Sequence, residues 1–303
     1  MKMLFKETSL EFDELNDPLF TEKKVSVIMA RLDKIHPVIS GNKLFKLHYF
    51  LEESIRQNRK AILSFGGAYS NHLVATAYAC KSAGINCIGI VRGERPVSVS
   101  HTLQQCETYG MQLHYISRET YHSKDSDKFI EQLTRQFGGC ILIPEGGYHP
   151  LGAAGASLIM NNISGKNATH VCTAVGTATT LAGLLMNRIN NEKIIGIPVL
   201  KNMTDIAERL SFLHCKEQLT NLAIFDEYHF GGYAKRTTEL ISFMNDLFLK
   251  HTLPTDFIYT AKMMYAVIDK IKAGYFAEGS TIICLHTGGL QGNASLPAGT
   301  LVF

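Results

Sequence analysis

Ala61-Ile62-Leu63-Ser64-Phe65-Gly66-Gly67-Ala68-Tyr69-Ser70-Asn71-His72 decides the fold. A mostly apolar run leads into two glycines, and Ser70 and Asn71, both good helix caps, then open a helix. A strand this apolar needs helices over both of its faces, which is the setting of a parallel sheet. The same unit recurs along the chain. Strand-like segments at 25–29, 87–91, 113–116, 141–144, 170–175, 194–197 and 281–285 alternate with helix-like ones at 43–57, 72–82, 100–109, 127–137, 152–163, 201–212, 237–249 and 261–273. This alternation predicts an α/β protein. At 303 residues the chain is long enough for two lobes. We expect two open, twisted, mostly parallel sheets with flanking helices. Residues 55–157 would form the small lobe, and 1–54 plus 158–303 the large one.

Glycines fall where strands end. Phe65-Gly66-Gly67, Pro144-Glu145-Gly146-Gly147, Val175-Gly176-Thr177 and His286-Thr287-Gly288-Gly289 each follow a strand-like run. Ligands of open α/β sheets bind at the carboxyl ends of strands, where backbone must come close. These loops are therefore expected to wall one cleft.

Three segments carry the chemistry. Gly176-Thr177-Ala178-Thr179-Thr180-Leu181-Ala182-Gly183 joins a strand to a helix, so its N–H groups, threonine hydroxyls and helix dipole favour an anion. It lacks the G-K-[ST] ending of a Walker loop and the G-x-G-x-x-G spacing of a dinucleotide site. Lys43 and Lys46 lie one turn apart after Gly41-Asn42. A lysine at a helix start has its pKa lowered by the dipole, as an amine that attacks a carbonyl requires. Lys46 is expected to stay charged and to face a phosphate. Ser70 and Asn71 form a helix start suited to a carboxylate, with Ser70 directed into the cleft.

Composition excludes other classes. The net charge of +3 is small for the length, and no basic block is long enough to neutralise a run of phosphates. No apolar stretch is long enough to cross a bilayer. Met1-Lys2-Met3-Leu4-Phe5-Lys6-Glu7 turns polar too soon for a signal peptide, which predicts a cytoplasmic protein. The seven cysteines form no C-x-x-C pair and are expected to be reduced thiols, mostly buried. The twelve histidines show no metal-ligand spacing, so no metal is expected.

These segments together resemble the pyridoxal-5′-phosphate enzymes that include D-cysteine desulfhydrase and 1-aminocyclopropane-1-carboxylate deaminase, of the tryptophan-synthase β-like fold. The resemblance runs from about Arg31 to Gly289. It rests on G-N-K-x-x-K-L at Gly41–Leu47, S-N-H at Ser70–His72, Gly176–Gly183, Gly232-Tyr233, Ile258-Tyr259-Thr260-Ala261-Lys262 and H-T-G-G at His286–Gly289. It implies that Lys43 links covalently to the cofactor and later moves protons. It implies that Lys46 and Gly176, Thr177, Ala178, Thr179 and Thr180 hold the phosphate. Asn71 would meet the phenolic oxygen, and Ser70 the substrate carboxylate, serving in the deaminase as the nucleophile or its proton partner. Tyr259 would lie against the ring and Tyr233 near the substrate. Tyr69 and His72 would border the substrate.

Thr260 and Thr287 point to the substrate. In the cyclopropane deaminases the first position is Glu and the second Leu, whereas the desulfhydrases carry threonines. A carboxylate would keep the pyridine nitrogen protonated and strengthen the electron sink, and a hydroxyl would not. Expulsion of thiolate needs less of that sink than opening an unactivated ring. The resemblance thus implies a lyase for a small amino acid, best D-cysteine, acting as a homodimer. The alternatives are the cyclopropane deamination and, from another class, non-catalytic binding of a phosphorylated ligand. Tyr69 stands where Gln is usual, and Phe45 where Arg is usual.

Overall fold

The repeated strand, glycine loop and helix build two sheets whose carboxyl edges face a common cavity. The structure is a computed structural model describing residues 9–215 and 219–303. The polar start at Met1–Glu7 lies outside the described residues. The strands are β1 (Phe12–Leu15), β2 (Ser26–Ala30), β3 (Ala61–Gly66), β4 (Asn86–Arg92), β5 (Met111–Ile116), β6 (Cys140–Ile143), β7 (His170–Val175), β8 (Lys193–Pro198), β9 (Leu222–Ile224) and β10 (Thr281–Leu285). One sheet has six strands in the order β1-β2-β10-β7-β8-β9, and the other has four in the order β5-β4-β3-β6. Every pairing is parallel except that of β1 with β2. The four-stranded sheet therefore uses residues between Ala61 and Ile143, and the six-stranded sheet takes its strands from either side of that stretch.

The apolar runs form the strands expected of them. In β3, Ile62, Leu63 and Phe65 are buried, and in β7 so are Val171 and Cys172. Burial on both faces of a sheet is what produces such uninterrupted apolar sequence. The cysteines are free thiols, all buried except the half-buried Cys140.

The structure differs from the expectation where elements are short. β1, β9 and the helices Pro18–Glu22 and Arg118–His122 have three to five residues, too few to display a period. The helix expected from residue 201 starts only at Ile206, because Asn202 takes a left-handed φ of 58° that no helix continues through. Among the described residues, no helix is long and apolar enough to cross a membrane.

Three helices beside the cavity pack through glycine. Gly155, in helix Pro150–Ile163, lies against the backbone of helix Lys43–Arg56, and a Cβ there would overlap the Phe45 carbonyl oxygen. Gly183, in helix Thr179–Met186, meets the backbone of Ala153 and Ser157 at 2.6 Å from an added Cβ. These contacts set how deeply Lys43 and Thr179 sit. Gly155→Val is expected to destabilise the protein by about 1–3 kcal/mol or more, as overpacking of a tight core does. Urea unfolding measures this; a midpoint equal to wild type would show that the two helices can separate freely.

Candidate active site

The helix Lys43–Arg56 begins where Gly41 turns the chain with φ +75°, against the backbone of Thr287. Only glycine fits there, since a Cβ would overlap the Thr287 carbonyl. This contact puts Lys43 beside the loop after β10. Its Nζ donates to the Thr287 carbonyl at 3.2 Å and sits 5.8 Å from the centre of the Tyr259 ring. One turn on, the Lys46 Nζ donates to the Gly146 carbonyl at 3.1 Å. The preceding Asn42 donates through Nδ2 to Thr180 Oγ1 at 2.8 Å, tying this helix start to the threonine loop.

That loop bends as an anion cradle should. Ala178 adopts a left-handed φ of 65°, and helix Thr179–Met186 starts at the next residue. The hydroxyls of Thr177 and Thr179 share a hydrogen bond of 2.9 Å. Gly176 leaves the Tyr259 ring 3.5 Å from where a Cβ would stand. Across the cavity, Ser70 caps helix Asn71–Ala83 by accepting from the Leu73 N–H at 3.3 Å. His72 is buried next to it, and its Nε2 meets Ser64 Oγ at 3.0 Å. The Ser64 hydroxyl gives its proton to the Ile143 carbonyl at 2.9 Å, so the histidine donates through Nε2. Its Nδ1 is then a buried acceptor without a partner.

Burial sets the charges. Burial pulls the Lys43 amine down to about 8, an effect that Asp256 partly opposes. Lys46 falls to about 7, through burial and then the like charge of Lys43. Without an anion in the cavity both amines are depressed, and desolvation is the main cause for both. His72 is pushed down to about 3 by burial and the two lysines and stays neutral. An anion between the lysines would restore their charge.

The two tyrosines meet. Tyr259 and Tyr233 bring their hydroxyls to 3.3 Å, with ring centres 6.0 Å apart. Burial raises the pKa of both, so both keep their protons. Two buried residues hold them. Asp256 accepts from the N–H groups of Ile258, Tyr259 and Thr260 at 3.0, 2.7 and 3.0 Å. Lys262 donates to the carbonyls of His229 and Gly232 at 2.8 Å each, which fixes the turn carrying Tyr233.

A cavity of about 650 Å³ brings most of the expected residues together. Lys43, Lys46, Tyr69, Ser70, Asn71, His72, Gly176, Thr177, Ala178, Thr179, Thr180, Tyr233, Tyr259 and Thr287 all line it. Thr260 does not; it is fully buried, with its hydroxyl unpartnered. Tyr69 is 56% exposed at the rim, against His101. Sequence reasoning missed Asp256, although an aspartate just before a helix start is a local capping signal, and gave no role to Lys262. It also missed Arg92, Arg118, Glu145 and Arg209 on the wall.

The fold and this site define a class: an α/β protein with a lysine amine and an anion cradle at one cavity. The chain belongs to the family described as pyridoxal-phosphate dependent enzyme, whose pattern it matches over residues 13–288. It is 28% identical over 290 residues to "Putative 1-aminocyclopropane-1-carboxylate deaminase" of Pyrococcus abyssi (strain GE5 / Orsay), covering 89% of this chain and 86% of that one. The protein of the same name from Pyrococcus horikoshii is 28% identical over 274 residues, covering 84% of this chain and 81% of that one. A crystal structure described as an ACC deaminase homologue superposes with a TM-score of 0.80 at 25% identity, covering 94% of this chain and 91% of that one. A hydrogen sulfide-producing enzyme from Fusobacterium nucleatum shares the fold, with a TM-score of 0.68 at 12% identity and coverage of 93% and 95%.

The residues present fit pyridoxal phosphate. A buried lysine amine, a helix start with threonine hydroxyls and the cavity-lining Asn71 amide, which is not fully partnered, are groups that an anionic, polar-edged aromatic aldehyde would engage.

Two predictions follow from these charges and tethers. Lys262→Met frees the His229 and Gly232 carbonyls, so it should lower kcat by about 10²-fold through displacement of Tyr233 while leaving bound cofactor in place. Steady-state kinetics beside cofactor absorbance checks this, and unchanged kcat contradicts it. In the cofactor-free chain, Lys46 titrates near 7 when folded and near its ordinary value when unfolded. The unfolded chain then binds more protons between those pH values, so stability rises as pH rises from about 7 toward 10. Lys46→Met should flatten that rise in urea titrations, and parallel slopes would contradict the assigned burial.

Proposed function

We propose that the protein is a lyase that converts a small amino acid, best D-cysteine, to pyruvate, ammonia and sulfide. The observation that carries the substrate choice is that, among the described residues, no carboxylate beside Tyr259 is free. Thr287 lines the cavity there with a neutral side chain, Thr260 is buried behind Tyr259, and the Asp256 oxygens are engaged by three backbone N–H groups. A site without that charge suits departure of a good leaving group such as thiolate.

The roles we propose for the side chains are as follows. Lys46 and the Gly176–Thr180 loop hold the phosphate. Asn71 donates to the phenolic oxygen, and Ser70 with the start of its helix holds the substrate carboxylate. The bound cofactor supplies an electron-withdrawing ring that acidifies the substrate's α-carbon. Lys43, brought down to about 8 by burial, is far closer to its neutral form near neutral pH than an ordinary lysine and so is suited to accept that α-proton and return it. The Tyr233 and Tyr259 hydroxyls, both held in the protonated form, donate to the departing sulfur.

The names of the Pyrococcus relatives favour a second reading, deamination of 1-aminocyclopropane-1-carboxylate to α-ketobutyrate. The homodimer expected from the resemblance belongs to the same proposal, and sedimentation equilibrium tests it. Sulfide release from D-cysteine, compared with α-ketobutyrate release from the cyclopropane substrate, separates the two readings. The expected result is sulfide with little α-ketobutyrate, and the reverse would replace the first reading by the second. Lys43→Ala should lower turnover at least ~10²–10⁴-fold, the usual worth of a positioned proton-transfer group. Near-wild-type turnover would remove Lys43 from its role.

A further inference from the structure

Two arginines on the cavity wall have no part in the roles above. Arg92 ends β4, and Arg118 follows β5 by two residues, opening helix Arg118–His122. The two strands are neighbours, with Arg92 in register with Ile116, so both side chains leave the same edge of the small sheet. Both line the cavity that contains Lys43. The Arg92 guanidinium lies over the glycine loop, with Nη2 3.4 Å from where a Cβ on Gly67 would stand, three residues before Ser70. Its guanidinium carbon lies 5.8 Å from the centre of the Tyr121 ring, which supports the group without neutralising it.

Among the described residues, neither Arg92 nor Arg118 has a carboxylate within salt-bridge reach. The other charged groups on this wall are engaged. Arg209 is held by Asp205 at 2.8 Å, and Glu145 lies 3.7 Å from Lys124. An arginine presents a planar fork of donors suited to carboxylate, sulfonate or phosphate. The cofactor phosphate has its own cradle across the cavity, and the substrate's α-carboxylate has Ser70. Both arginines are exposed and hydrated, and their charge on the cavity wall beside Gly67 is placed to receive a further anion.

We infer that the substrate carries a second acidic group on its side chain, and that Arg92 and Arg118 receive it. The inference rests on the amino-acid lyase reading and moves its preferred substrate from D-cysteine, which becomes the weaker, neutral analogue, to a small acidic amino acid that carries its own β-leaving group, as cysteate carries sulfite. Arg92 and Arg118 then discriminate by charge at the distal end of the substrate, while Lys43 and Ser70 act at its α-carbon end. Neutral analogues fit the same cavity and leave the two guanidinium groups without a partner.

The holoenzyme, with ligand pairs that differ only in distal charge, tests this. Calorimetry gives the Kd of aspartate against asparagine, in both enantiomers. Pyruvate release gives kcat/KM for cysteate against cysteine. We expect the acidic member of each pair to be preferred by about tenfold or more, the worth of one charge-assisted hydrogen bond. The preference should shrink as salt rises. In the double variant Arg92→Gln/Arg118→Gln the ratio should fall toward one. If that variant does not fold, the wild-type ratios and their salt dependence decide. Ratios near one in the wild type, or ratios unchanged in a folded double variant, overturn the assignment. Turnover of cysteine with no acid preference sinks the arginine assignment alone. Preferential binding of acidic ligands with no ammonia released from any amino acid keeps that assignment and sinks the lyase reading.

Discussion

The site depends on helix N-termini converging on one cavity. The helices that begin at Lys43, Asn71, Thr179 and Thr260 each bring their first turn to the cavity or directly beneath it. Each N-terminus carries roughly half a positive charge and several N–H groups without intrahelical partners. Only one is closed by a protein carboxylate, that of Asp256 under Tyr259. The others face a space that also contains two buried lysines. Positive potential at this density is costly in the chain alone, and an anionic cofactor relieves it. The depressed lysine pKa values are the local sign of that cost.

Such convergence requires helices to approach more closely than side chains normally allow. Glycine at Gly41, Gly155 and Gly183 removes the Cβ at the contact points. The Asn42–Thr180 hydrogen bond then locks two of the helix starts together. Packing and chemistry are therefore one constraint: the glycines that let the helices close also set the reach of Lys43 toward Tyr259.

Much of this was legible in the sequence. Uninterrupted apolar strands followed by glycine loops forced a layered α/β arrangement, and His170–Val175 and Thr281–Leu285 fall where the pattern put them. Lys43 and Lys46 one turn apart, and the Ser70 cap, were readable because helix spacing and capping are local rules. What was not legible depends on distant partners. Nothing near Lys262 reveals the carbonyls of His229 and Gly232, some thirty residues away, whereas the Asp256 carboxylate closes the next helix by a local capping contact that the sequence reading passed over. Arg92 and Arg118 read as loop charges until β4 and β5 align them on one wall. The depression of Lys46 was not legible because a dipole argument says nothing about burial, and burial is the larger effect.

The claim that everything else rests on is that the amine at Lys43 is the one that bonds to the cofactor. Borohydride reduction of the holoenzyme followed by peptide mapping tests it directly. The account predicts a single reduced adduct in the peptide containing Gly41-Asn42-Lys43. An adduct on Lys46 or Lys262, with Lys43 unmodified, would contradict it.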